Sequence, residues 1–252
     1  MFSWRKLTEL PVIIAHRGSS ELAPENTLTA FQKALKEGAD AIELDVRLTR
    51  DKEIVVIHDS KLNRTTDGYG NVEDAYLADI KKLDAGSWFN SKFSSERVPT
   101  LEEVFKLVRK KAGINIEIKP KLRYPNIMVQ KCVGLVQKYS LQNSVLISSF
   151  DHSIVKKVKL LDERISTGIL YSPMIHFGKN VVKLAKSNYA DFVIMSKNYL
   201  KEELVKKVHQ EKLYFFVYNI NNRLHLKTML NLKVDGIITN SPKSINNYLL
   251  NM

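Results

Sequence analysis

Two pairs of charged residues stand inside apolar runs of the sequence. Glu43 and Asp45 alternate with aliphatic residues over 41–46, and Glu117 and Lys119 do the same over 114–120. Residues two apart on a strand point to the same side, and charge in a buried strand is costly unless it is paired or binds a metal. Exposed edge strands would avoid that cost, but helices cover parallel strands. Three carboxylates therefore predict one divalent cation, Mg²⁺ or Ca²⁺, rather than Zn²⁺.

Two histidines and an arginine stand at the ends of other apolar runs. His16 and Arg17 follow the first run, and His58 ends a later one. A single histidine at a strand end is usually only a hydrogen-bonded polar residue. Histidine can transfer protons near neutral pH, however, while arginine and lysine bind phosphate oxygens. Gathered at one rim with Lys119 and the carboxylates, these residues predict cleavage of a phosphoester.

The elements that must position these residues alternate between strand-like and helix-like patterns, which is typical of a parallel α/β sheet. Asn26 is predicted to cap the first helix, Thr100 and Glu103 form a capping box, and Ser241 with Pro242 opens the last helix. The strand-like runs are 12–15, 41–46, 54–58, 114–118, 144–150, 166–170, 191–195, 213–218 and 236–239.

Nine runs are one too many for an eight-stranded barrel. The second and third are too close for the crossover that parallel strands require, so they are predicted to form a β-hairpin. A four-residue turn over 50–53 would place Asp45 opposite His58. The other eight runs then predict a single (β/α)8 TIM-type barrel over residues 1–252, whose catalytic rim lies at the carboxyl ends of the strands.

Composition narrows the classes of function. The formal net charge is +12, and because residues 1–60 hold 8 basic and 10 acidic side chains, the remaining 192 carry +14. Most lysine pairs lie on amphipathic stretches, and no nucleic-acid-binding motif is present, so we expect a field that attracts anionic small molecules. The lone cysteine, Cys132, is predicted to pack in the core. No export signal or apolar span is evident, which favours the cytoplasm.

The ordered set of motifs resembles the glycerophosphodiester phosphodiesterase family, from about residue 12 to residue 242. The matching segments are His16-Arg17-Gly18, Ala23-Pro24-Glu25-Asn26-Thr27, Glu43-Leu44-Asp45-Val46, His58-Asp59, Arg64-Thr65-Thr66-Asp67-Gly68, Val98-Pro99-Thr100-Leu101, Glu117-Ile118-Lys119, Ser148-Ser149-Phe150 and Asp235-Gly236-Ile237-Ile238-Thr239. The resemblance implies a TIM-type barrel that hydrolyses glycerophosphodiesters to sn-glycerol 3-phosphate and an alcohol.

The resemblance also implies a role for each motif residue. By motif, His16 and His58 are the general acid/base pair, and Arg17 and Lys119 bind phosphate. The cation would be bound by Glu43, Asp45 and Glu117. Residues 59–113 resemble the family's insertion, which is expected to pack on the barrel rim. Its aromatic residues either face the glycerol or merely pack the insertion; these are Trp88, Phe89 and Phe93.

Phe150 and Tyr218 are predicted to contact the substrate. Tyr218 stands where the family usually has tryptophan, which leaves the preferred alcohol open, and Asn240 replaces the usual aspartate. The hairpin turn also lacks the family's glycine. None of these departures is expected to touch the catalytic or metal-binding residues.

Two other functions compete with this prediction. A phospholipase D of the sphingomyelinase D type has a similar barrel and a similar metal and histidine set, but such proteins are secreted and disulfide-bonded. A non-enzymatic basic protein that binds nucleic acid or anionic lipid has no use for the seven-residue site. The sequence leaves open the oligomeric state, the choice between Mg²⁺ and Ca²⁺, and whether water or the glycerol 2-hydroxyl attacks.

Overall fold

The computed structural model describes residues 2–7 and 10–251, and within them nine strands form one sheet. The strands are β1 (Val12–Ala15), β2 (Ala41–Leu48), β3 (Ile54–Val56), β4 (Gly113–Ile118), β5 (Val145–Ser149), β6 (Ser166–Tyr171), β7 (Phe192–Ser196), β8 (Tyr214–Tyr218) and β9 (Gly236–Thr239). All strands but β3 pair in parallel, and β1 pairs with both β9 and β2, so eight strands close into a barrel. The predicted TIM-type barrel is confirmed.

Helices connect the strands and cover the outside of the barrel. They are α1 (Leu28–Lys36), α2 (Leu77–Ile80), α3 (Leu101–Val108), α4 (Pro125–Lys138), α5 (His152–Leu161), α6 (Val181–Ser187), α7 (Glu202–Gln210), α8 (Arg223–Asn231) and α9 (Pro242–Leu250). The capping box of Thr100 and Glu103 is present at α3, and Pro242 is the first residue of α9. The first cap was predicted wrongly, because the side chain of Thr27, not Asn26, accepts the hydrogen bond from the α1 backbone.

The barrel interior and its outer shell are separate apolar layers. Inside, Phe192 and Phe216 pack with aliphatic residues of the strands, and Trp4 is fully buried against both rings. The Trp4 Nε1 atom donates to the Ser144 carbonyl oxygen at 2.8 Å, which satisfies its polar group. Two larger clusters fill the space between sheet and helices. Cys132 lies in the first of these, so its predicted place in the core is confirmed.

The β2–β3 pair is an antiparallel hairpin, as the spacing predicted, but its register was predicted wrongly by one residue. Val46 pairs with Val56, and the Ile57 amide donates to the Asp45 carbonyl oxygen at 2.9 Å. Asp45 therefore lies opposite Ile57. His58 follows the paired segment, where its carbonyl oxygen accepts a hydrogen bond from Arg47 Nε at 2.9 Å.

The register differs because the turn has three residues rather than four. The Thr49 amide donates to the Glu53 carbonyl oxygen at 3.0 Å, and residues 50–52 form the turn. Lys52 has φ +64°, the left-handed conformation that lets a short loop close a hairpin. A lysine gives little sequence signal for that conformation, because glycine or asparagine usually occupies it.

Residues between β3 and α3 form a small apolar cluster of their own beside the hairpin. Val55 and Ile57 of the hairpin pack with Leu62, Val72 and Ile80. Phe89 contacts Trp88 and Phe93 edge to face, with ring centroids 5.7 Å apart in both pairs. Along the described chain, no helix has the length and apolar character needed to cross a bilayer.

Candidate active site

The predicted site residues converge at the carboxyl ends of the barrel strands. Asp45 pairs in register with Glu117, and Glu43 with Asn115, so the charged side chains of β2 and β4 share one face. Eight of the nine predicted residues line one pocket, and Asp45 is buried beside them among the carboxylates. The eight are His16, Arg17, Glu43, His58, Glu117, Lys119, Phe150 and Tyr218.

Three carboxylates form a cluster that fits one divalent cation. Glu43, Asp45 and Glu117 each present an oxygen within 4.8 Å of the others. Burial, together with the neighbouring charges of Asp45 and Glu117, raises the pKa of Glu43 well above its usual range. Like-charged buried carboxylates are unfavourable without a cation among them, and an all-oxygen donor set suits Mg²⁺ or Ca²⁺. The side chains present therefore fit the predicted metal.

Lys119 and Arg17 are cationic side chains that contact the carboxylate cluster. The Lys119 ammonium group forms ion pairs with Glu117 and with Asp45 Oδ1, at 3.3 Å in the second case. Although burial alone would raise the pKa of Asp45, Lys119 and Arg17 hold it below its usual value. Burial opposes the charge of Lys119, yet Asp45 and Glu117 raise its pKa. Both cations are therefore charged at neutral pH.

Arg17 is held by a local backbone conformation. It has φ +56° and is followed by Gly18 at φ +83°, where an added Cβ would lie 2.6 Å from the Ala30 carbonyl carbon. This tight turn directs the Arg17 amide at Glu43 Oε2, 2.9 Å away. Arg17 Nε lies 3.2 Å from Asp45 Oδ2, yet it is buried and makes no hydrogen bond within residues 2–7 and 10–251. Arg17 also lines the pocket, where a guanidinium group is suited to bind an anionic ligand.

Two residues next to Arg17 have structural roles in the site that the sequence did not reveal. Asn26 has φ +60°, and its Nδ2 atom donates to Asp45 Oδ2 at 2.9 Å. Glu25 pairs with Arg17 at 2.9 Å and with Arg64 at 2.8 Å. The sequence marked Glu25 only through the resemblance to the family, and Asn26 through that resemblance and as a predicted helix cap. Together they orient Asp45, which is predicted to bind the metal, and Arg17, which is predicted to bind phosphate.

The two histidines are each held through Nδ1, but by different partners. His16 Nδ1 lies 2.7 Å from the amide oxygen of Asn240, and His58 Nδ1 lies 2.5 Å from Asp59 Oδ1. Asp59 is fixed in turn by Arg64, whose hydrogen bonds lower the pKa of Asp59 to about 2. Burial lowers the pKa of His16 to about 4 and lowers that of His58 as well. With Nδ1 engaged, each ring keeps Nε2 for proton exchange.

The contact between His16 and Asn240 shows that one sequence prediction was wrong. The change to asparagine after β9 was expected not to touch the catalytic residues, yet its side chain lies directly behind His16. An amide oxygen only accepts hydrogen bonds, so Nδ1 carries the hydrogen and Nε2 the lone pair. Unlike a carboxylate, the amide adds no charge that would favour an imidazolium ion.

We expect Asn240→Asp to raise the pKa of His16, because a partly buried carboxylate would replace a neutral amide. The limb of the kcat/KM–pH profile that His16 controls should move upward by about one pH unit. Asn180→Asp, at the start of α6, adds the same charge to an exposed position and should leave the profile unchanged. Superimposable profiles for wild type and Asn240→Asp would show that this contact does not tune His16.

The aromatic residues predicted to contact substrate line the same pocket. Phe150 and Tyr218 contribute to its wall, together with Leu170 and Ile238. Burial and the charge of Glu117 raise the pKa of the Tyr218 hydroxyl to about 12, so it stays neutral. The pocket thus combines a charged cluster, suited to phosphate, with apolar side chains suited to an organic group.

Comparison with known proteins agrees with this geometry. The sequence model of the Glycerophosphoryl diester phosphodiesterase family matches residues 16–244. A glycerophosphodiester phosphodiesterase of Caldanaerobacter subterraneus subsp. tengcongensis is 38% identical over 241 residues, covering 94% of this chain and 97% of that protein. One from Bacillus subtilis is 36% identical over 244 residues, covering 91% and 83% respectively.

A solved structure of a phosphodiesterase is also similar to this chain. A phosphodiesterase of Oleispira antarctica, in complex with the product sn-glycerol-3-phosphate, superimposes with a TM-score of 0.89 at 28% identity and covers 95% of this chain and 97% of that one. The resemblance predicted from the motifs is thereby confirmed. With a family match that spans most of its length and relatives similar over nearly the whole chain, this protein belongs to the glycerophosphoryl diester phosphodiesterase family and is a phosphoric diester hydrolase.

Proposed function

We propose that this phosphodiesterase hydrolyses glycerophosphodiesters to sn-glycerol 3-phosphate and an alcohol, using one divalent cation and two histidines. The observation that carries the proposal is the convergence of three carboxylates, two oriented histidines and two cationic side chains at one barrel pocket. The product bound by the Oleispira antarctica phosphodiesterase supports the choice of substrate.

Glu43, Asp45 and Glu117 would hold the cation, and the oxygen ligands favour Mg²⁺ or Ca²⁺. When bound, the cation supplies Lewis-acid charge stabilisation at a phosphoryl oxygen. Arg17 and Lys119 bind the remaining phosphoryl oxygens and stabilise the charge that builds on them. Asn26 and Glu25 keep Asp45 and Arg17 aligned, so that these groups need little rearrangement when substrate enters.

His16 and His58 carry out the two proton transfers. One imidazole takes the proton of the attacking hydroxyl, and the other gives a proton to the leaving alcohol oxygen. Attack by water and attack by the glycerol 2-hydroxyl both require this pair. Asn240 and Asp59 hold the rings by Nδ1 and keep Nε2 available for transfer.

Phe150 and Tyr218 contact the organic part of the substrate, on the apolar wall of the pocket. The predicted cytoplasmic location stays a prediction, as does the expectation that nucleic acid is not a partner.

A substrate panel tests this function against the phospholipase D alternative. Glycerophosphocholine, glycerophosphoethanolamine and glycerophosphoglycerol are each incubated with enzyme and cation, and sn-glycerol 3-phosphate is measured by a coupled dehydrogenase. We expect turnover of at least one of them to yield that product stoichiometrically. Lysophosphatidylcholine is assayed in parallel for choline release. Turnover of lysophosphatidylcholine alone, without any of the three smaller diesters, would favour the lipid phosphodiesterase and contradict our proposal.

A further inference from the structure

The loop that follows β6 exposes three large apolar side chains at the barrel rim. Met174 is 82% exposed, Ile175 is 62% exposed and Phe177 is 90% exposed. They lie within four residues of one another in the segment 172–179, next to the pocket-bearing end of the barrel. Single exposed apolar residues are ordinary, but a cluster of this kind on a protein surface usually marks an interaction site.

The loop is anchored, so the exposure is built into its conformation. Between the exposed residues, His176 is only 6% exposed, and its ring stacks on Tyr171 and His152, with centroids 5.4 and 4.4 Å away. His176 Nε2 lies 3.2 Å from the Phe150 carbonyl oxygen, and the Tyr171 hydroxyl donates to the Lys179 carbonyl oxygen at 3.0 Å. Because the buried histidine faces inward, its apolar neighbours project outward.

Lysines lie near this loop on the side of β7, whereas Asp151 lies on the side of β5 and Glu202 and Glu203 follow Lys201. The rim segments 172–180, 197–201 and 219–222 contain Lys179, Lys197 and Lys201 but no aspartate or glutamate. Arg223 and Leu224 follow directly at the start of α8, and Leu224 is 74% exposed. Exposed apolar side chains with lysines nearby match a surface with an anionic outer layer and an apolar interior.

We propose that the loop 172–179 docks the mouth of the barrel on an anionic lipid surface, with Met174, Ile175 and Phe177 inserted between the lipids. Projecting apolar tips suit a fluid surface that closes around them, whereas a rigid protein partner would need matching cavities. The anchor contacts Phe150, which lines the substrate pocket, so a docked enzyme presents its apolar pocket wall beside the membrane. This docking goes beyond the proposed hydrolysis and does not depend on it.

Vesicle binding tests the proposal. Full-length protein is sedimented with large unilamellar vesicles of phosphatidylglycerol and phosphatidylcholine in equal parts, or of phosphatidylcholine alone. We expect binding to the anionic vesicles, and a loss of about tenfold or more in the triple variant Met174→Ser, Ile175→Ser, Phe177→Ser. The matched control is Leu160→Ser, Leu161→Ser at the far end of α5, where these side chains are 71% and 48% exposed. It should bind like wild type.

Charge variants and the oligomeric state separate lipid insertion from simple adsorption and from a subunit contact. Lys179→Glu with Lys201→Glu should weaken binding to anionic vesicles but not turnover of dissolved glycerophosphodiesters, and the triple variant should also keep that turnover. Failure of wild type to bind anionic vesicles would overturn the proposal, as would equal losses in the control. Binding that is lost in the lysine variant but kept in the triple variant would indicate electrostatic adsorption without insertion. That result would also overturn the proposal. A wild-type dimer that the triple variant dissociates would assign the loop to a subunit interface instead.

Discussion

We expect His16→Ala and His58→Ala each to lower kcat by about 10²–10⁴-fold, because in the proposed mechanism each ring performs one proton transfer. The expected loss follows from the geometry of both side chains. Each Nδ1 atom is occupied by a partner, Asn240 or Asp59, so each ring offers Nε2 to the substrate in a fixed orientation. Lys119 and Arg17 stay protonated, so neither can act as a base in place of a histidine. Rapid-quench or steady-state kinetics on a glycerophosphodiester measures the effect.

The double variant distinguishes a catalytic pair from two independent contributions. If the histidines act as a unit, His16→Ala with His58→Ala should lose far less than the product of the single losses. The control is His225→Ala on α8, whose ring contacts Lys197 and does not line the pocket. It should keep kcat. Near-wild-type turnover in either single variant, with the thermal unfolding midpoint unchanged, would remove that histidine from the mechanism.

The strands could be predicted from sequence because apolar periodicity and the spacing of the runs depend on local residues. β1 and β9 begin and end where they were predicted to, and β2 extends two residues beyond its own predicted end. The hairpin could be inferred since a parallel crossover does not fit in the available chain. Its register could not, because Lys52 adopts a left-handed conformation that its side chain does not favour. One residue in the turn decides which side chain lies opposite Asp45.

The charged residues that converge at the pocket could be predicted from sequence, but the residues that orient them could not. Charged side chains in apolar strands are conspicuous, whereas Asn26 was predicted only as a helix cap and Asn240 was noted only as a departure from the family. Their importance comes from contacts over long distances in the chain, with Asp45 and with His16, which is 224 residues from Asn240. The same holds for Glu25, which connects Arg17 and Arg64. Such contacts exist only once the barrel has closed.

Removing the cation should reduce kcat/KM by at least about 10²-fold, as expected when a main source of charge stabilisation at the phosphoryl group is lost. Dialysis against EDTA should abolish turnover, and Mg²⁺ or Ca²⁺ should restore it. Glu117→Gln should weaken cation binding in calorimetry along with activity, because an amide is a poorer ligand than a carboxylate. The matched control is Glu25→Gln, which contacts Arg17 but lies outside the carboxylate cluster, and it should bind the cation like wild type. Full activity in excess EDTA after exhaustive dialysis would refute the metal requirement.

The same cluster predicts a stability effect that does not rely on turnover. The pKa of Glu43 is raised well above its usual range by burial and by Asp45 and Glu117, so its charged form is unfavourable in the cation-free protein. Glu43→Gln removes that charge and should raise the Tm measured in EDTA. The Tm of wild type should rise by several degrees when cation is added. The Tm of Glu43→Gln should rise much less, because this variant lacks one of the proposed metal-binding carboxylates. A variant that keeps the full cation-induced rise would show that Glu43 does not bind the metal. A lower Tm in EDTA would show that its carboxylate serves stability through Arg17 rather than the cation.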